Sequence, residues 1–138
     1  MNPERKAEWV AALRSGDYPQ GRNVLTSVES DGTRRHCCLG VLCDLAVKAG
    51  VLTVDTDDDG TPDTTYVNGT NAVRYHETGQ PDAQAVVYLP RAVREWAGLD
   101  GDNPGFVREG FLNRTHLASL NDDGVSFDDI ADVIDERF

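Results

Sequence analysis

The chain has 138 residues, of which 39% are hydrophobic and 27% are charged, and its formal net charge is −11. This size and composition predict one folded domain over residues 1–138, with no disordered chain and no membrane span, since no apolar run approaches about 20 residues. Eighteen acidic but only six basic residues follow residue 54, so the basic footprint that nonspecific nucleic-acid binding needs is missing.

The N-terminal segment MNPERKAEW is charged and has a helical pattern, which is not typical of a secretory signal peptide. We therefore expect a cytoplasmic protein whose thiols stay reduced. The first predicted helix begins at Pro3 and ends at Ser15-Gly16, with Asn2 as its N-cap. Its apolar stripe consists of Trp9, Val10 and Leu13.

A β-hairpin is predicted next, with strands over residues 24–28 and 33–37 joined by a turn at Asp31-Gly32. It leads directly into a helix over residues 38–49, which Gly50 ends. The inward face of this helix is predicted to comprise Leu39, Leu42, Cys43, Leu45 and Ala46.

The middle of the chain is polar and rich in turn residues, and its predicted strands cover residues 64–67, 72–76 and 85–88. Helices are predicted over residues 89–96, briefly over 115–120, and over the C-terminal segment SFDDIADVIDERF, which Ser126 caps. These elements predict an α+β fold in which about four helices pack on a small, mostly antiparallel sheet.

All three cysteines, Cys37, Cys38 and Cys43, lie within seven consecutive residues. They lack the paired C-x-x-C spacing of a structural zinc site, and a reducing compartment argues against a disulfide. Cysteine is often buried, and the neighbouring residues are apolar, so the pattern favours thiols that pack a helix against a hairpin.

A reactive thiol is the alternative interpretation. Cys37 or Cys38 is predicted to lie at a helix N-terminus, which lowers the pKa of a thiol. His36, His76 or His116 would then be the general base, with Asn121 as a residue that could orient His116. No signature of a thiol enzyme accompanies these residues, so no catalytic residue is assigned.

The segment DTDDDGTPDTTY fits a calcium-binding loop at several positions. Asp55, Asp57, Asp59 and Asp63 occupy positions 1, 3, 5 and 9 of the loop pattern. Position 12, where a bidentate carboxylate completes the shell, is Tyr66. We therefore interpret the segment as a solvated hairpin loop that is a weak calcium candidate, and predict no other metal or cofactor.

A basic cluster surrounds the predicted hairpin. Arg22, Arg34, Arg35 and His36 are candidates for binding a small anionic ligand or an acidic partner, because arginine makes bidentate contacts with carboxylates and phosphates. The alternative is that these arginines form surface ion pairs with nearby carboxylates. The acidic candidates for such pairs are Asp17, Glu29 and Asp31.

Four segments resemble a known group of proteins. They are WVAALRSGDYPQG (residues 9–21), CCLGVLCDLA (37–46), LPRAVREWAGL (89–99) and LASLNDDGVSFDDIADVI (117–134). In these segments the chain resembles small, uncharacterised proteins of phages and prophages, especially those of actinobacteria. The resemblance implies an accessory protein that acts in the cytoplasm of an infected bacterium, and it carries over no catalytic residue.

The predicted activity is binding rather than catalysis. We expect the protein to inhibit a host protein, to counter a defence system, or to sequester a small anionic ligand such as a nucleotide. A cysteine-dependent hydrolase or transferase and a structural or assembly protein of the virion remain as alternatives. The sequence indicates no oligomeric state.

Overall fold

Five helices and nine strands form the fold in a computed structural model that describes the backbone of residues 1–138 and every side chain except those of Asp82 and Ala83. The helices are α1 (Pro3–Arg14), α2 (Cys38–Lys48), α3 (Arg91–Ala97), α4 (Leu117–Asp122) and α5 (Phe127–Arg137). The strands are β1 (Thr26–Val28), β2 (Arg34–His36), β3 (Leu52–Val54), β4 (Thr64–Val67), β5 (Thr70–Val73), β6 (Tyr75–Glu77), β7 (Gln80–Ala85), β8 (Gly105–Val107) and β9 (Arg114–His116).

The strands form three small antiparallel sheets, with orders β2-β1-β5-β4, β3-β6-β7 and β8-β9. The predicted α+β class is confirmed, but three sheets replace the single sheet that we predicted, and the described backbone has five helices. The predicted strand over residues 72–76 divides at Arg74, so β5 and β6 pair in different sheets. The strand predicted over residues 85–88 is wrong, because β7 ends at Ala85.

The predicted helix caps are confirmed. The Asn2 Oδ1 accepts hydrogen bonds from the backbone N–H groups of Glu4 and Arg5, at 2.9 and 3.2 Å. The Ser126 Oγ accepts a hydrogen bond from the Asp129 N–H at 3.2 Å. Gly50 follows α2 with a φ of +80°, a conformation that glycine adopts without strain.

Helix α2 forms the centre of the hydrophobic core. Seven of its residues are buried, and it packs against α1, α3, α4 and strands β2 and β3. A Cβ atom at Gly40 would lie 1.8 Å from the carbonyl oxygen of Leu25, so only glycine allows α2 to lie this close to the start of β1. Within the described chain, no helix has both the length and the apolar content that crossing a bilayer requires.

Candidate functional site

Cys38 lies where residues of α1, α2 and α4 meet. Its side chain is fully buried, and its backbone N–H donates to the Asn121 Oδ1 at 3.1 Å. The Trp9 Nε1 donates to the Cys38 carbonyl oxygen at 2.9 Å, and the Cys38 thiol contacts the Leu117 carbonyl oxygen at 3.5 Å. These contacts join α1, α2 and α4 by packing and hydrogen bonding.

All three thiols are buried and favour the protonated form. Burial raises the pKa of Cys37 to about 11, although its sulfur accepts a hydrogen bond from the Gly40 N–H at 3.4 Å. Burial also raises the pKa values of Cys38 and Cys43 well above the ordinary value. Desolvation therefore outweighs the effect of the α2 N-terminus, and the thiols are poor nucleophiles at neutral pH.

The three candidate histidines lie in different surroundings. His76 is buried, and its Nδ1 is 3.6 Å from the Asp55 Oδ2. The His36 Nδ1 is 2.8 Å from the Thr26 Oγ1, and burial lowers the pKa of His36. His116 lies beside a cavity of about 640 Å³ that Arg114 and Arg137 also line. Both polar atoms of the Asn121 side chain bond to other groups, so its amide does not orient His116.

The predicted basic cluster does not form one surface. Arg34 and Arg35 are successive residues of β2 and point to opposite faces, as strand geometry requires. Arg35 pairs with Glu29, whereas the Arg22 guanidinium lies near Gly124. His36 is only 7% exposed. The ion-pair alternative is thus the observed arrangement at Arg35, and a ligand could not reach His36.

The aspartate loop is a hairpin turn. The Asp63 N–H donates to the Asp55 carbonyl oxygen at 2.8 Å, and the Asp57 Oδ1 accepts hydrogen bonds from the Asp59 and Thr61 N–H groups at 3.0 Å. Among the side chains that the structure describes, no three carboxylates, imidazoles or thiols are grouped so that they could hold a metal ion. The four predicted calcium ligands therefore do not converge here.

The β8–β9 hairpin has an exposed apolar tip. The exposed fractions are 62% for Phe111, 101% for Leu112 and 50% for Val107. Three of the six basic residues that follow residue 54 belong to this hairpin or lie at its base. They are Arg108, Arg114 and Arg137. Together with Phe111, Leu112 and Val107 they form what we call the hairpin surface. Sequence reasoning missed this surface because the segment REGFLNR has the composition of a loop. So short a segment has no pattern that would distinguish exposed apolar residues from buried ones.

Two of these arginines extend over one aromatic ring. The guanidinium carbons of Arg137 and Arg108 lie 5.3 and 6.0 Å from the centroid of the Phe106 ring. Arg114 donates a hydrogen bond to the Gly105 carbonyl oxygen. Arginines from β9, α5 and the β8–β9 loop are therefore held at the base of the hairpin.

A second surface feature is a cleft of about 130 Å³ in front of Cys37. Its polar lining includes Asn23, Asn68, Asn103, Ser119 and Asp122, and we call it the asparagine cleft. The Asn68 Nδ2 donates to the Asn23 carbonyl oxygen at 3.0 Å, and the Asn23 N–H donates to the Asp122 Oδ1 at 2.9 Å. These bonds join the β4–β5 turn, the segment before β1, and α4.

Comparison with known proteins gives a family without an assigned chemistry. A family model described as a domain of unknown function, DUF8296, matches residues 1–138. No curated protein and no solved structure matches the chain. The function therefore has to be inferred from the geometry of these surfaces.

Proposed function

We propose that this chain, which belongs to the DUF8296 family, is a non-enzymatic accessory protein that binds a host protein through its hairpin surface. The observation that carries the proposal is the exposure of two adjacent apolar side chains, Phe111 at 62% and Leu112 at 101%, at the tip of the β8–β9 hairpin. Inhibition of the bound host protein, as part of infection by a phage, is the activity that we propose.

Adjacent exposed apolar residues favour a protein partner. Single exposed hydrophobic residues are common, but a contiguous apolar patch with a polar rim is typical of an interaction site. Burying a side chain of this size contributes about 1.5–3 kcal/mol. Phe111 and Leu112 can therefore act as the central anchors of a small interface.

The charges at the hairpin indicate the chemistry of the partner. Residues 55–138 contain eighteen acidic and six basic residues, yet Arg108, Arg114 and Arg137 all lie at this hairpin. They outnumber the carboxylates beside them, Glu109 in the same loop and Glu136, which lies 3.9 Å from Arg137. A complementary surface would have an apolar pocket bordered by carboxylates. Exposed ion pairs of this kind speed association and select the partner, and they weaken as salt is added.

The test is affinity capture from a lysate of an actinobacterial host. We compare the wild-type protein with a Phe111→Ser/Leu112→Ser double variant, and use Tyr66→Ser as the matched control, since Tyr66 is 75% exposed in the four-stranded sheet. We expect one host protein to be retained by wild type and Tyr66→Ser and lost with the double variant. The affinity of the captured host protein for this chain should fall when salt is added, and it should also fall with the Arg114→Glu variant. Identical capture by wild type and the double variant would overturn the proposal.

The structure favours binding over the cysteine-enzyme alternative because Cys37, Cys38 and Cys43 are buried and protonated. A captured virion protein in place of a host protein would support the assembly alternative. Detection of this chain in purified virions would support the assembly alternative independently.

A further inference from the structure

We infer that the asparagine cleft is a binding site for a nucleobase that carries an exocyclic amino group. The cleft is lined by Asn23, Tyr88, Asn103, Ser119 and Asp122, among others, and contains no residue of the hairpin surface. The inference is therefore independent of the proposed function.

The size of the cleft fits a base rather than a whole nucleotide. Its volume is about 130 Å³, comparable to an engineered cavity of about 150 Å³ that binds a benzene ring. The cleft is therefore of the size that takes one small ring system, such as a nucleobase. A ribose or a phosphate would remain outside.

The lining has the two components that base recognition uses. Val24, Val87 and Ala118 supply apolar surface, and the Tyr88 ring is 47% exposed. Proteins hold an extruded base between apolar or aromatic side chains and read its edge through hydrogen bonds. Asparagine pairs with adenine in two hydrogen bonds, and a carboxylate accepts from the amino group of cytosine.

Several polar groups of the lining remain available to a ligand. The Asn103 Oδ1 accepts from the Ala118 N–H at 3.2 Å, which leaves its amide N–H groups free. Among the described residues, the Asn23 amide and the Ser119 and Tyr88 hydroxyls make no side-chain hydrogen bond to the protein. A planar ligand could therefore satisfy donors and acceptors on several sides at once.

Asp122 sets the preference between bases. Its Oδ1 accepts from the Asn23 N–H, and its second oxygen has no partner within the described part of the chain. This carboxylate would accept a hydrogen bond from an exocyclic amine, whereas it would repel a phosphate or the carbonyl edge of uracil. The site thus favours adenine or cytosine over uracil.

The rim of the cleft is preorganised. Asn23 and Asn68 have φ values of +70° and +51°, in the left-handed region that few side chains adopt. Asn68 and Gly69 form a two-residue hairpin turn of a type that requires positive φ angles, which accounts for the value at Asn68. At Asn23 the conformation is held by the bonds to Asp122 and Asn68, and such local strain is common at ligand clamps.

Isothermal titration calorimetry with adenosine, cytidine, uridine and glucosamine tests the inference. We expect adenosine and cytidine to bind at least about tenfold more tightly than uridine. The Ser119→Leu substitution should abolish this binding by filling the cleft, and Asp122→Asn should weaken it about tenfold while keeping the acceptor for the Asn23 N–H. Asp123→Asn is the matched control and should bind as wild type does.

Thermal melts of each variant show that it is folded before its binding is compared. Absence of binding by both adenosine and cytidine at millimolar concentration would overturn the inference. The same holds for uridine binding as tightly as adenosine, for glucosamine binding in place of the nucleosides, or for adenosine binding that Ser119→Leu leaves unchanged.

Discussion

The side chain of Asn121 is hydrogen-bonded to the backbone N–H of Cys38, 83 positions earlier in the chain, at 3.1 Å. The same Oδ1 accepts from the Gln20 Nε2 at 3.0 Å, and the Asn121 Nδ2 donates to the Gly21 carbonyl oxygen at 2.8 Å. Asn121 is fully buried. One amide therefore joins α4 to the segment before β1 and to the N-terminus of α2.

Replacing Asn121 with alanine should destabilise the fold strongly. The substitution leaves the Cys38 N–H and the Gly21 carbonyl oxygen buried without partners, and each such group costs about 1–3 kcal/mol. We expect the free energy of unfolding in urea to fall by about 3 kcal/mol. The exposed Asn71, on β5, is the matched control. Asn71→Ala should change the free energy of unfolding by less than about 0.5 kcal/mol. Equal effects of the two substitutions would show that the amide network is not formed in solution.

Signals that act over a few residues were sufficient to predict many elements from the sequence. The caps at Asn2 and Ser126 and the end of α2 before Gly50 depend on contacts within a turn or two, and the structure has them. The three-residue strand β3 was missed because so short a segment has no periodicity. Nor does the sequence show that the chain changes sheet at Arg74.

The candidate sites were less predictable because they depend on distant contacts. Arg137 is far in sequence from Arg108 and Arg114, and it reaches them only because the last turn of α5 lies beside Phe106 of β8. By contrast, Arg34, Arg35 and His36 are neighbours in sequence, but strand alternation and burial separate them. The closeness of these residues in sequence therefore predicted a basic cluster that does not exist as one surface in the folded protein.

The contact between Gly40 and Leu25 gives a second prediction. A Cβ at residue 40 would lie 1.8 Å from the Leu25 carbonyl oxygen, and this clash is with backbone that cannot rotate away. We expect Gly40→Ala to lower the unfolding free energy by about 3 kcal/mol, at the upper end for overpacking. Gly101→Ala, where a Cβ would meet nothing within 4 Å, is the control. A Gly40→Ala variant as stable as the control would mean that α2 and β1 are further apart.

The buried thiols predict a loss of stability at alkaline pH. Burial raises the pKa of Cys37 from an ordinary 9.0 to about 11, so between these values the unfolded chain releases a proton that the folded chain keeps. The contribution of the protonated Cys37 thiol to the free energy of unfolding is therefore complete below pH 9, and it falls as the pH rises toward 11. At about 1.4 kcal/mol per tenfold change in the equilibrium, Cys37 alone accounts for about 2–3 kcal/mol.

Urea unfolding at pH 7.5, 9 and 10.5 measures this loss, with Cys37→Ala as the comparison. The variant should be less stable than wild type at pH 7.5 but should lose less stability on going to pH 10.5. Parallel losses in the two proteins would show that ionisation of the Cys37 thiol is not the cause, since Cys38 and Cys43 are present in both.

Calcium should have little effect on stability. The Asp57 Oδ1 already accepts two backbone hydrogen bonds, and Asp63 pairs with Arg74 at 3.4 Å. A ligand that binds the folded state stabilises it by an amount that grows with its concentration over Kd. We therefore expect less than about 1 °C change in the melting temperature between 5 mM Ca²⁺ and 5 mM EGTA. A larger rise that Asp59→Asn removes would show that the loop closes around the ion.

The apolar tip of the hairpin should contribute little to the stability of the free protein. Leu112 is fully exposed and Phe111 mostly so, and surface substitutions change the unfolding free energy by about 0.5 kcal/mol or less. We expect the Phe111→Ser/Leu112→Ser variant to unfold in urea as wild type does. Leu42→Ala, in the core with no exposed surface, should cost about 2–5 kcal/mol. A loss above about 1.5 kcal/mol in the tip variant would show that the two side chains pack in solution, and the proposed function would then lose the observation that carries it.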